Sequence, residues 1–158
     1  MKKILKLSIL LLGALFVLLG CSSETKSEFV LQKTASKTKL TYVYDKEKDS
    51  VSKLTMEIVY DITKDERYTE AARSQRDEVV AEMEGIEGVT YTKKDDSNYI
   101  GLTIEVDVNK FKFDDAASRK KAPTLYNTVN AALKRKDNIV SYQLSKDAIL
   151  EYEFKEVK

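Results

Sequence analysis

The chain has no histidine, no tryptophan, one cysteine and one proline among its 158 residues. The missing imidazole excludes histidine-dependent triads, histidine general bases and zinc sites built on imidazole. A single cysteine allows no intrachain disulfide, so packing and hydrogen bonds must hold the fold. Without tryptophan the core leans on Tyr, Phe, Leu, Ile and Val. A charge excess of one sign is also lacking, with 27 basic against 26 acidic side chains. No basic patch or stripe of the kind a nucleic-acid binder carries is visible, and basic attraction to a membrane surface is not indicated. After residue 20 there is no long apolar run.

The first twenty residues differ from the rest. Lys2, Lys3 and Lys6 precede an apolar stretch from Ile9 to Leu19, and Gly20 stands directly before Cys21. A basic start, a short apolar core and a small residue before the cut mark a secretory signal. Leu18-Leu19-Gly20-Cys21 resembles a bacterial lipobox. That resemblance implies cleavage between Gly20 and Cys21 and a diacylglyceryl thioether on Cys21. Each buried methylene contributes about 0.8 kcal/mol, and two acyl chains suffice for stable anchoring. A transmembrane helix is the alternative, but Ile4 to Gly20 falls short of the ~20 apolar residues that spanning needs. The expectation is therefore a signal peptide over 1–20, a lipidated tether over 21–27, and one domain over 28–158. Removing the leader also removes three lysines and leaves the remainder slightly acidic. The peptide Gly13 to Gly20 is similar to pheromones trimmed from lipoprotein signals, but every signal core has such a composition, so it singles out nothing.

Along the remainder, Lys39 to Tyr44 alternates, with Leu40, Tyr42 and Tyr44 on one face. Asp45 to Ser50 reads as a charged turn. Val51 to Ile62 reads as a second strand, with Leu54, Met56, Ile58 and Tyr60 together. The two make an antiparallel hairpin, and Glu28 to Gln32 is a candidate preceding strand. Thr63-Lys64-Asp65-Glu66 fits a capping box. The helix it opens carries a stripe of Tyr68, Ala72, Gln75, Val79 and Met83, stopped by Gly85 and Gly88. Val89 to Tyr91 and Tyr99 to Val108 form a second hairpin around Lys93 to Ser97. Asn109 to Ala122 reads as a loop. Pro123 suits the first turn of a helix with the stripe Leu125, Tyr126, Val129, Ala132 and Leu133, and Lys134 to Lys136 suit its negative end. Ser145 is placed to cap a last short helix over Lys146 to Tyr152, although Leu150, Tyr152 and Phe154 also alternate as a strand would. The pattern predicts an α+β domain: an antiparallel sheet of four to five strands with helices packed on one face.

Taken together, the lipobox, Leu40-Thr41-Tyr42-Val43-Tyr44 with its charged turn, the alternating strand and helix, the glycine-marked turn into a second hairpin, and the ending Phe154-Lys155-Glu156-Val157-Lys158 resemble the YehR-like family of small bacterial lipoproteins. The family's domain has no assigned biochemical function. The resemblance spans most of the chain after Cys21 and implies a compact α+β domain with no catalytic residues to carry over. Two features depart from the pattern. Glu153 stands where relatives tend to have a helix-ending glycine, and the stretch from Ala116 to Asn138 is longer.

Several residues merit weighing for chemistry. Asp45, Glu47 and Asp49 open like a calcium loop, but Ser50 and Met56 occupy its glycine and glutamate positions. Asp95-Asp96 and Asp114-Asp115 are doublets that could lend ligands to a hard cation, but a doublet alone is more often a loop. Ser36-Lys37, Ser52-Lys53 and Ser145-Lys146 are adjacent pairs, although strand neighbours point to opposite faces. Ser118, Arg119, Lys120 and Lys121 could bind an anion, but such a run is more often a solvated loop. Tyr42, Tyr44, Tyr60, Tyr91 and Tyr99 fall on strands, either as core or as a stacking platform. No cofactor and no metal is called for. The function expected is that of an envelope lipoprotein on the extracytoplasmic face of the cell membrane, held there through lipid on Cys21. It would serve as a noncatalytic binding or accessory module for an envelope protein or small ligand, without nucleic acid. The alternatives left open are a carboxylate-based metal-dependent or Ser/Lys hydrolase, and a purely structural lipoprotein.

Overall fold

The computed structural model describes residues 24–63 and 69–157. Gly20, Cys21 and the leader lie outside the described residues, as do residues 64–68, which hold most of the capping box and Tyr68. In chain order the elements are β1 (Glu24–Gln32), β2 (Ser36–Asp45), β3 (Ser50–Asp61), α1 (Thr69–Met83), β4 (Val89–Asp95), β5 (Tyr99–Asp107), α2 (Ala116–Lys121), α3 (Pro123–Ala132), β6 (Lys134–Lys136), β7 (Ile139–Ser141), α4 (Tyr142–Glu151) and β8 (Lys155–Glu156). The sheet runs β4-β5-β3-β2-β1-β8 with antiparallel pairings. A small β6–β7 hairpin joins the start of β3 where Ser141 pairs with Ser50.

The predicted α+β class and the antiparallel sheet hold, but the strand number does not. The sheet has eight strands, not four or five. Strand β1, the two hairpins and β5 follow the alternation. The additional strands β6, β7 and β8 are two or three residues long, too short for a period-2 pattern to register. Lys134 to Lys136, expected to end a helix, form β6 because Leu133 is already extended at φ −117°, ψ 113°. Strand β1 begins at Glu24, so residues 24–27, expected as tether, pair with Tyr42 to Asp45. The stretch expected as a loop contains α2, which Asp115 caps by accepting from the N–H groups of Ala117 and Ser118.

One face of the sheet is apolar and the other polar, because residues two apart share a face. Phe29, Leu40, Tyr42, Tyr44, Leu54, Met56, Ile100, Leu102, Ile104 and Val106 point to the same side and are buried. Between Val43 and Tyr44 the β2–β3 register shifts. Ser52 is the extra residue of this bulge, and its hydroxyl donates to the Val43 carbonyl at 3.2 Å. The bulge resets the alternation so that Val51, odd-numbered among even-numbered neighbours, also faces inward and is 4 % exposed. The opposite face carries Glu28, Lys39 and Glu57, linked in a row by ion pairs at 3.6 and 3.2 Å, and Lys53 with Glu105 at 3.2 Å.

The helices cover the apolar face. The expected stripe of α3 is the observed one: Leu125, Tyr126, Val129, Ala132 and Leu133 are buried. That of α1 is turned by one residue, with Arg76, Val80 and Met83 buried. Helix α4 starts earlier than expected, capped by Ser141, which accepts from Leu144 N–H at 3.2 Å. Ser145 lies inside the helix instead. It donates to the Ser141 carbonyl and accepts from Lys134 N–H, joining α4 to β6. The last segment is thus helix, then strand.

Asp49 completes the α4 start from 94 residues away. Its carboxylate accepts from Gln143 N–H at 2.8 Å and from the Ser141 hydroxyl, and its carbonyl accepts from Tyr142 N–H. At the other end Glu153 adopts φ 67°. Phe154 N–H reaches the Ile149 carbonyl and Glu153 N–H that of Leu150, the paired bonds of a Schellman stop. Glycine suits this left-handed position, and Glu153 carries a strain that glycine would not.

Two outcomes follow for chemical denaturation. Glu153→Gly should raise unfolding stability by about 0.5–1 kcal/mol, since it relieves a left-handed side chain. Asp49→Ala should lower it by about 1–2 kcal/mol through loss of a helix cap, with Asp49→Asn milder.

Candidate functional site

Over part of the covered face the helices leave large sheet side chains only partly covered. On β3 these are Met56, Ile58 and Tyr60; on β5, Ile100, Leu102 and Ile104. Above them α1 presents Gln75 and Val79, and α3 presents Thr124, Leu125 and Thr128. Well-packed interiors leave few voids larger than a water molecule. Here the helices, with Arg76 also in the lining, leave the sheet's apolar stripe incompletely covered, and Ile58 remains half-buried.

The resulting depression, of about 170 Å³, shares residues with two others. Tyr60 and Gln75 continue it into a second of about 280 Å³ beside Ala35, Ser36, Ile62, Ala71 and Ala72. Met56, Ile58 and Thr128 continue it into a third of about 300 Å³ between α3 and α4, lined by Leu31, Leu40, Ala131, Tyr152 and Phe154. Together they form one apolar groove along β3, rimmed by threonines, Gln75 and Lys33. Tyr152 at its α4 end is 58 % exposed. The groove suits an apolar group a few carbons wide, with polar atoms held at the rim.

One wall of the groove is fastened by charge. Arg76 of α1 is buried beside β4, with its guanidinium donating to Asp95 and, at 2.9 Å, to Asp77. Arg73 adds a bond to Asp95 at 3.0 Å, and Lys93 pairs with Asp77 at 3.4 Å. The Arg76 hydrogen bond, with Lys93 nearby, holds the Asp77 carboxyl below the ordinary carboxylate range. This clip adds Arg76 to the sheet-facing side of α1 beside Gln75 and Val79, a charged residue that the apolar periodicity of the helix did not include.

Most of the aspartates singled out in the sequence sit in turns, caps and ion pairs. Asp45 accepts from Glu47 and Lys48 N–H groups in its turn, and Asp49 caps α4. Asp96 caps the β4–β5 turn through Asn98 and Tyr99 N–H. Asp114 takes two hydrogen bonds from Arg135, at 2.6 and 2.8 Å, which hold its carboxyl below the ordinary range. Asp115 is lowered by the Ser118 hydroxyl it accepts from. Arg119 donates to the Phe113 carbonyl and Lys121 to that of Glu84. Among the described residues no three His, Cys, Asp or Glu side chains are grouped to hold a metal ion. Of the tyrosines, Tyr42 is fully buried and donates to the Ala132 carbonyl at 2.8 Å. Burial raises its phenol well above the ordinary value. Tyr44 stacks on Tyr142 at 3.6 Å between ring centroids. Tyr60 lines the groove and Tyr91 is exposed on the edge strand. They do not form one platform. No helix among the described residues is long and apolar enough to cross a membrane. The groove itself was not legible in the sequence, since small residues on α1 and α3 signal a void only once their partners on β3 are known.

The site and sheet define an α+β domain with a one-sided, antiparallel sheet and an apolar groove under its helices. Solved structures share this fold. The NMR structure of the E. coli YehR protein superposes with a TM-score of 0.63 at 19 % identity, covering 85 % of this chain and 91 % of that one. The NMR structure of a protein from Streptococcus pneumoniae TIGR4 gives 0.55 at 13 % identity, covering 87 % of each chain. At these identities the likeness establishes a YehR-like fold. No family model and no curated protein matches the chain.

Replacing Asp95 with Asn should loosen α1, since a hydrogen bond to a charged group is worth roughly 1.5–3 kcal/mol. Hydrogen exchange of α1 amides should speed up while β5 stays protected. Acid should act the same way. A depressed carboxyl such as that of Asp77 lends stability above its unfolded pKa, and that stability is lost as pH falls through the lower folded value. Exchange in α1 should therefore accelerate below the ordinary carboxylate range before the central strands respond.

Proposed function

We propose that this chain is a lipid-anchored module on the extracytoplasmic face of a bacterial membrane, and that it binds an apolar group of an envelope partner or small ligand in the groove over β3. The observation that carries the binding reading is the groove itself: among the described residues, Met56, Ile58 and Tyr60 are incompletely covered by α1 and α3, which leaves apolar surface open. Apolar surface of this kind costs free energy in water, and a ligand that covers it recovers about 25 cal/mol per Å². The anchoring part of the reading rests on Cys21 and its lipobox-like context. A hydrolase reading draws less support, because Asp45, Asp49, Asp96 and Asp115 serve turns and caps, Asp95 and Asp114 pair with arginines, and the Ser52 and Ser145 hydroxyls bond backbone carbonyls.

The groove is tested with the domain after Cys21 and an environment-sensitive apolar fluorophore such as anilinonaphthalene sulfonate. Saturable binding is expected. Thr128→Trp adds bulk at an exposed α3 position that lines two of the depressions, and it should abolish most of that binding with the circular dichroism unchanged. Retention of binding by a folded Thr128→Trp protein, or no saturable binding by the unaltered one, would argue against the groove as a site.

A further inference from the structure

Glu24, where the chain that follows Cys21 enters the sheet, and the depression at Ala35 and Tyr60 lie at opposite ends of the sheet. Cys21 precedes Glu24, the first residue of β1, by three positions. Three residues span at most ~11 Å even when fully extended. Glu24 pairs with Asp45, so the chain enters the sheet beside the β2–β3 turn of Lys46 to Asp49. The β6–β7 turn lies at the same end, because Ser141 pairs with Ser50, and the start of the β5–α2 connection joins them through Val108 N–H bonded to the Ser52 carbonyl. The far end is defined by Gln32 and by the second depression of the groove at Ala35, Ser36 and Tyr60. Eight residues of β1 separate Glu24 from Gln32, a distance of ~27 Å at the usual strand rise. That exceeds twice the reach of the leash.

We infer that the sheet end formed by the β2–β3 and β6–β7 turns is the surface that rests on the phospholipid headgroups, and that the Ala35–Tyr60 mouth of the groove faces away from the membrane. The inference rests on the lipid-anchor reading above and deepens it. The chemistry of this end fits a headgroup layer. Its turns carry Lys46, Glu47, Lys48, Lys136 and Asp137, charges of both signs that stay hydrated, and Ile139 beside them is 43 % exposed. Mixed charge gives little attraction of its own, so the leash and not electrostatics supplies the orientation. The groove is then presented to partners or solutes arriving from the aqueous side and not to lipids within the bilayer.

The full-length lipoprotein, purified from membranes and reconstituted in phosphatidylcholine vesicles, tests this. Thioether formation leaves Cys21 unreactive, so a single introduced cysteine takes a bimane label alone. Lys46→Cys and Asn138→Cys mark the near end, and Ser97→Cys, in the β4–β5 turn, marks the far end. All three positions are exposed. With a nitroxide on the lipid headgroup, the labels at 46 and 138 should be quenched several-fold more strongly than the label at 97. Raising ionic strength should leave that contrast unchanged. Protein that fails to float with the vesicles would sink the anchor and this orientation with it. Floating protein with equal quenching at both ends, or stronger quenching at 97, would overturn the orientation while leaving the anchor intact.

Discussion

Everything in this domain depends on a sheet that is apolar on one side only. Strands β2, β3 and β5 place Leu40, Tyr42, Leu54, Met56, Leu102, Ile104 and Val106 on one face and a row of alternating charges on the other. Helices α1, α3 and α4 can lower the free energy only by covering the first face. Tyr42 stands at its centre. Its ring meets Phe29 and Tyr142 edge-on at 5.8 and 6.0 Å, and its hydroxyl donates to the last carbonyl of α3. A buried phenol without such an acceptor costs about 1–3 kcal/mol, so this bond fixes where α3 ends on the sheet. The backbone turns extended at Leu133 directly afterwards.

The groove follows from the same constraint. Covering one face of a six-strand-wide layer with three helices requires bulk at every helix position over the sheet. Over β3 the helices supply Val79 and Leu125 but otherwise Ala72, Gln75, Arg76, Thr124, Thr128 and Ala131, which leave part of the stripe uncovered. The shortfall is local: over β2 and the start of β3 the aromatic cluster of Tyr44, Tyr142 and Phe29 fills the space. Helix α1 is the wall least bound by apolar contact. It buries three residues, one of them Arg76, and a charge clip to β4 takes the place of a hydrophobic stripe. A wall held by hydrogen bonds to charged groups is also one that acid loosens.

Much of the fold was legible because its signals are local. The alternation in β2, β3 and β5, the stripe of α3 and the glycines after α1 each declare themselves within a dozen residues. Gly88, at φ 78° with the Phe111 backbone closing on it, is the clearest of these. What escaped the sequence depends on distant partners. The aspartate that looked like the start of a cation loop caps a helix 94 residues later. The Ser52 bulge reverses the facing of Val51, which strict alternation from Leu54 would place on the polar side. Arg76 faces inward only because Asp95 waits on β4. Glu153 ends a helix at a position where glycine was the expected signal, so the stop was visible only in the backbone bonds from Phe154 and Glu153. The groove belongs to this second group, being a relation between side-chain sizes on three elements.

The central claim is that the uncovered stripe of β3 is a binding surface and not a packing remnant. Nitrogen-15 amide spectra of the domain, titrated with a short straight-chain amphiphile, address it most directly. The account predicts saturable shifts confined to residues 56–60, to Gln75 through Val79 and to Thr124 through Thr128, with Thr41, Thr55 and Thr103 on the polar face unmoved. Shifts centred on that polar face, or weak and unsaturable shifts scattered over the whole domain, would contradict it.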